Sequence, residues 1–148
     1  MRKLSAGLAS MAAVVALVVA GWWFGPWRQK YSVPVPPPSA SARQVVLAYL
    51  RALDAHDSAT AYALSAPRFR DTTAYWLNST ARVTPIRTGS LQYFPKAPAG
   101  QRYDVPAVFW YGSHWWKQDP SFPDGRHSWG YQLVRVHGRF LIDDNGQA

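Results

Sequence analysis

The sequence predicts an α+β protein: an N-terminal transmembrane helix, then helices packed on a curved antiparallel sheet. Three observations carry this expectation. An uncharged apolar run occupies residues 4–25. Apolar residues at helical spacing begin near residue 42. From residue 81 the character changes to runs of β-branched and aromatic residues divided by turn residues. Helices first and strands after is the order of an α+β arrangement, not of alternating βαβ units. The expected division is an anchor over residues 1–30, a proline-rich linker over 31–41 and one domain over 42–148.

The apolar run is LSAGLASMAAVVALVVAGWWFG. At about 1.5 Å rise per residue, a helix of this length matches a hydrocarbon layer of roughly 30 Å. A cleaved signal peptide is one reading, with Val18-Val19-Ala20 as the cleavage site. The run continues, however, through Trp22, Trp23 and Phe24 to Trp27, Arg28 and Lys30. Aromatics followed by basic residues are what a spanning helix shows where it leaves the bilayer, which favours a retained anchor. The expected localisation is the cell membrane, single-pass, with the N-terminus cytoplasmic and the domain outside. The next segment, YSVPVPPPSAS, carries four prolines, which forbid helix and suit an extended spacer.

The chain has 148 residues, 48% of them hydrophobic, enough for one domain with its own core. It has no cysteine, which excludes disulfides, thiolate metal sites and a cysteine nucleophile. The net charge of +8 does not make a nucleic-acid surface. From residue 31 onward twelve Arg/Lys stand against eight Asp, scattered and without a basic run.

Within the domain, Val45, Val46, Tyr49, Leu50 and Leu53 form one helical stripe behind a Ser41 cap. Asp57 or Ser58 caps a second short helix that Pro67 ends. TTAYWLNST is a third helical piece. Four strands follow, over residues 82–94, 102–112, 128–136 and 139–144. His137-Gly138 forms a two-residue turn between the last two.

Two of these stretches carry a resemblance. VVLAYLRALDAHDSATAYALSAP resembles the opening helices of the nuclear-transport-factor-2-like superfamily, roughly "V-x-x-Y-L-x-A-L-x-x-x-D" and then "A-x-A-L". YQLVRVHGRFLIDD resembles its closing hairpin, with Phe140 where that pattern more often has Trp. The resemblance spans residues 43–144. It implies a cone-shaped half-barrel around a cavity, and it implies no particular activity, since one fold hosts many chemistries. Enzymes of the superfamily, ketosteroid isomerases and scytalone dehydratases among them, place acid/base residues inside the cone. Many members are non-catalytic, and membrane-anchored bacterial members resemble envelope scaffold subunits of conjugation and type IV secretion machines.

An isomerase-like site needs a carboxylate base in a dry cavity and donors for a developing oxyanion. Asp71, Asp104 and Asp143 are the candidate carboxylates, with Asp71 and Asp104 assigned to the cavity, and Tyr49, Tyr62 and Tyr75 are the donors. None lies in a motif of a catalytic member, so no catalytic residue is assigned. Asp143 and Asp144 are adjacent on a strand and point to opposite faces. The histidines lack metal-ligand spacing, so neither a metal nor a cofactor is expected.

The densest feature is FWYGSHWWKQDPSFPDGRHSWGY, residues 109–131, with four of the eight tryptophans. Its ends read as strand. HWWKQDPSFPDGRH between them reads as a hairpin loop longer than the usual two to five residues. His114, Trp115, Trp116, Phe122 and His127 are therefore the candidate binding residues. They either fold back over the domain or meet a partner. The reading that follows is a non-catalytic, membrane-anchored binding or scaffold domain. Its expected partners are the membrane through residues 4–25 and an envelope protein, with self-association a further option and no specific nucleic acid. The alternatives are a cone-cavity enzyme or small-molecule binder, and a conjugation or type IV secretion channel subunit.

Overall fold

In the computed structural model, residues 14, 28–89, 92–93 and 102–147 are described. Helix α1, Ala42–Ala55, begins at a capping box. The Gln44 amide N–H donates to Ser41 Oγ at 3.3 Å, and the Ser41 N–H donates to Gln44 Oε1 at 2.8 Å. The stripe Val45, Val46, Tyr49, Leu50 and Leu53 is buried. The helix ends at His56, a non-glycine residue in the left-handed region at φ 54°. That conformation costs about 1–2 kcal/mol. It lets the His56 N–H donate to the carbonyls of Ala52 and Leu53.

Helix α2, Ser58–Ala63, is capped by Asp57, whose side chain accepts from the Thr60 N–H. A 3-10 turn, Pro67–Phe69, leads into helix α3, Arg70–Ser79. Five strands follow: β1 Thr80–Thr88, β2 Gln92–Tyr93, β3 Tyr103–Ser113, β4 Gly125–Val136 and β5 Arg139–Gln147. All pairings between named strands are antiparallel, in the order β1-β3-β4-β5, and β2 also pairs with β3. Pro85 sits on β1 beside a register shift, where a missing N–H is tolerated.

Alternation on β3 sends Tyr103, Val105, Ala107, Phe109 and Tyr111 towards the helices. Trp110 is half exposed on the opposite face. Tyr49, Phe69, Phe109, Leu133, Tyr131 and Ile142 fill the space between helices and sheet. The Tyr49 hydroxyl finds Thr73 Oγ1 at 3.2 Å, and its ring lies 6.0 Å from that of Tyr131.

Four corrections follow. Among the described residues no helix is long and apolar enough to cross a membrane. The N-terminal transmembrane helix therefore drops out of the fold description. Residues 4–25, where it was expected, lie outside the described residues except for Val14.

The proline-rich segment is not a free spacer. The Lys30 N–H donates to the Ala55 carbonyl at 2.7 Å. The Val33 N–H donates to Asp57 Oδ2 at 2.8 Å, and Thr60 Oγ1 donates to the Val33 carbonyl at 2.8 Å. Val33 itself is buried in the core. The segment is thus a strap tied to the α1–α2 corner, because its one core valine and its backbone polar groups find partners there.

The third and fourth corrections concern strand ends. β4 starts at Gly125, so the β3–β4 hairpin loop is shorter than the sequence suggests, and β5 runs on past Asp144 to Gln147. Residues 90, 91 and 94 of the first predicted strand, and the PKAPAG loop after it, lie outside the described residues.

The β4–β5 turn is the expected two-residue one. His137 and Gly138 both have positive φ, 48° and 80°. This is the primed-turn geometry that matches strand twist. Gly138→Ala should cost about 1–2 kcal/mol, read as a lowered urea midpoint at unchanged slope.

Candidate functional site

The loop between β3 and β4 is where the chemistry-bearing residues collect. It is tied down at both ends and at its Asp119–Phe122 turn. The His114 N–H donates to the Ser79 carbonyl at 3.0 Å, which fixes the loop's start to the end of α3. Asp119 and Phe122 close a tight turn, with the Phe122 N–H donating to the Asp119 carbonyl at 2.9 Å. Pro120 follows Asp119, the order such a turn favours. The Asp119 carboxylate accepts from Ser121 N at 2.9 Å, from Ser121 Oγ at 2.6 Å and from the Tyr75 hydroxyl at 2.8 Å. At the far end Asp124 accepts from Ser113 N at 2.8 Å and Ser113 Oγ at 2.6 Å.

These bonds set the charges. The Ser121 hydroxyl, then Tyr75 and the Ser121 amide, hold the Asp119 carboxyl below its ordinary value. The Ser113 hydroxyl and amide do the same for Asp124. The bond to Asp119, aided by burial, pushes the Tyr75 hydroxyl up to about 12. Both loop carboxylates are therefore fixed anions that pin the loop, and neither is tuned as a base near neutral pH.

The five candidate binding residues fall into two groups. Phe122 is a plug. Its ring lies 5.0 Å from Trp76, 5.0 Å from Tyr111 and 4.9 Å from Trp129, and it stacks on His127 at 3.9 Å. Trp76 and Trp129 present their indole N–H groups to the Asn145 amide oxygen, each at 3.1 Å, with that amide oriented to accept both. His127 Nε2 lies 2.7 Å from the Pro123 carbonyl.

In the second group the two tryptophans face outward over a buried His114. Trp115 is 81% exposed, and Trp116 is 44% exposed. Trp115 meets Trp116 edge-on at 5.4 Å, and Trp116 lies flat on His114, 4.5 Å away and 8° from parallel. His114 is buried and in turn approaches buried His56 at 5.8 Å between ring centroids. The Nε2 atoms of His56 and His114 are buried without a hydrogen-bond partner. Burial lowers the pKa of both rings, and the Lys30 charge adds to it. No spacing joins His56 to His114, and only the chain's return brings them together.

The cavity candidates do not converge. Tyr49 is a core side chain, and burial raises its hydroxyl far above the ordinary tyrosine value. Tyr75 is an exposed loop anchor, and Asp71 is exposed in the first turn of α3. Asp104 is half-buried on the sheet face opposite Tyr103 and Val105, with its carboxyl raised chiefly by burial. Tyr62 shares a small surface hollow of about 230 Å³ with His56 and Asn78. Asp143 is buried but is held by Arg68, with Nε to Oδ1 at 2.5 Å and an Nη2–Oδ2 ion pair beside it, whereas Asp144 is exposed. Among the described residues no group of three or more His, Cys, Asp or Glu is placed to hold a metal ion.

Comparison with known proteins adds little to this geometry. No family model matches the chain, and no curated protein matches it. The chain is similar to the solution structure of a SEC-C motif containing protein from Rhodopseudomonas palustris, at 14% identity and a TM-score of 0.49. That similarity covers 74% of this chain and 80% of the other.

Proposed function

We propose that this domain acts by binding a protein partner through the Trp115–Trp116 platform, without catalysis. The observation that carries the reading is that Trp115, four-fifths exposed, stands on a loop pinned by Asp119, Asp124 and the Phe122 plug. A large aromatic held ready loses little conformational freedom on contact, and aromatic anchors dominate binding energy at interfaces. Among the described residues the candidate carboxylates and hydroxyls lie apart, which supports the non-catalytic half of the reading, since a reaction needs converging groups.

A photoreactive amino acid at position 115, introduced in the native host, tests this. A discrete protein adduct is expected at 115 and not at exposed Asp71. An adduct of twice the chain's mass would make the partner a second copy. No adduct at 115, or the same adduct from both positions, overturns the reading. Trp115→Ala should abolish the association while changing stability by less than about 0.5 kcal/mol, checked by thermal unfolding.

A further inference from the structure

The docking reading leaves two atoms unexplained. Among the described residues three buried side-chain atoms lack a hydrogen-bond partner, Thr80 Oγ1 and the Nε2 atoms of His56 and His114, and the two histidine rings lie side by side. Buried orphans of this kind call for a reason, because each forfeits its bonds to water. Their position supplies one. His114 carries Trp116 flat on its ring, and Trp116 carries Trp115. His56, at the left-handed end of α1, stands behind His114. A single line of rings thus runs from the helix end to the exposed tryptophan.

We propose that His56 and His114 form a proton-operated latch, which holds the Trp115–Trp116 platform in place while both rings are neutral and releases it when they are protonated. The proposal rests on the docking reading and adds its regulation.

The surroundings make protonation disruptive. Among the ionisable groups acting on the pair, Lys30 on the strap bears a positive charge that opposes protonation of both rings. A charge on His114 also opposes protonation of His56. Asp54 on α1 is the one acid favouring a charge on His56, and it is already committed. It accepts from the Tyr31 hydroxyl at 3.0 Å and the Val83 N–H at 3.0 Å, and it lies 3.8 Å from Lys30 Nζ. Tyr62 of α2 lines the hollow beside His56 together with neutral Ala74, Leu77 and Asn78 of α3. Within the loop, Lys117 meets His114 through its backbone N–H.

The sign follows. Both rings have folded-state values below the ordinary 6.5 of histidine. The closed latch therefore keeps its full stability above that pH and loses it as pH falls below it, because the opened form binds protons more readily.

The test is fluorine NMR of the full chain carrying fluorotryptophan, with resonances assigned by single Trp→Phe variants. Between about pH 8 and pH 5, the Trp115 and Trp116 resonances should move together with a midpoint below 6.5. The Trp129 resonance should stay in place. His56→Asn keeps the left-handed position, which asparagine tolerates, and removes one proton site. It should raise the midpoint toward 6.5, and His114→Gln should abolish the shift. A Trp116 resonance that ignores pH overturns the latch. So does a response unchanged in both variants. The photoadduct at position 115, measured at neutral pH, judges the docking reading separately, since the NMR result does not depend on any partner.

Discussion

Phe122→Ala should cost about 3–5 kcal/mol, the range for deleting a large buried aromatic. In a domain of this size that is a fall of roughly 10 °C or more in Tm. The residue is only 7% exposed although it sits on a loop. It is surrounded by Trp76, Tyr111, Trp129 and His127, so no single neighbour can move in to fill its place. Three of those contacts are edge-on, the arrangement aromatic rings prefer, each adding about 0.5–1.5 kcal/mol beyond burial. The near-UV circular dichroism should weaken at the same time, since two tryptophans lose a packed neighbour. Trp115→Ala, seven residues earlier on the same loop, should do neither. A Phe122→Ala loss below about 1 kcal/mol would mean that the cluster closes without it, and that the loop is held by its carboxylates alone.

That contrast shows what was legible in the chain. Periodicity identified α1, because Val45, Val46, Tyr49, Leu50 and Leu53 must share one face, and all five are buried. Local turn chemistry identified the β4–β5 hairpin, because His137-Gly138 suits a turn with two positive φ angles. Both are short-range properties. The binding candidates depended on long-range packing, which spacing does not encode. Phe122 and Trp115 look alike in sequence, as aromatics on one long loop. One meets Trp76 of α3 and Trp129 of β4, and the other meets solvent. The His56–His114 approach is invisible for the same reason.

Composition alone does not place the strap. Four prolines forbid helix but do not forbid docking, and Val33 finds the corner between α1 and α2. A shallow groove of about 480 Å³ remains between the strap and α1, with Tyr31, Val35, Leu47 and Arg51 in its wall. The apolar run at residues 4–25 gave the strongest expectation of all, yet no described helix is of a length and apolarity to cross a membrane.

The docking of the strap turns on one carboxylate, and Asp57→Ala should therefore cost about 2–4 kcal/mol. About 1 kcal/mol comes from the lost cap of α2. About 1–3 kcal/mol more comes from the Val33 N–H, left buried without its acceptor. Asp57→Asn separates the two effects. Asparagine caps a helix as well as aspartate does, but its amide nitrogen would face the Val33 N–H, donor against donor. The Asn variant should thus keep α2 and release the strap, seen as faster hydrogen exchange at Val33 with little change at Thr60. Exchange that rises equally at both sites would show that cap and strap are one unit. The same carboxyl sets an acid limit. Burial pushes its pKa up, but bonds from the Val33 and Thr60 amides, with the Thr60 side chain close by, outweigh that and leave it below the ordinary 3.8. A depressed folded-state value means stability that is complete above the unfolded value and lost as pH falls through the folded one. Strap release should accordingly begin only below about 3.8, well under the window in which the histidine pair titrates, and should vanish from the pH profile of Asp57→Asn.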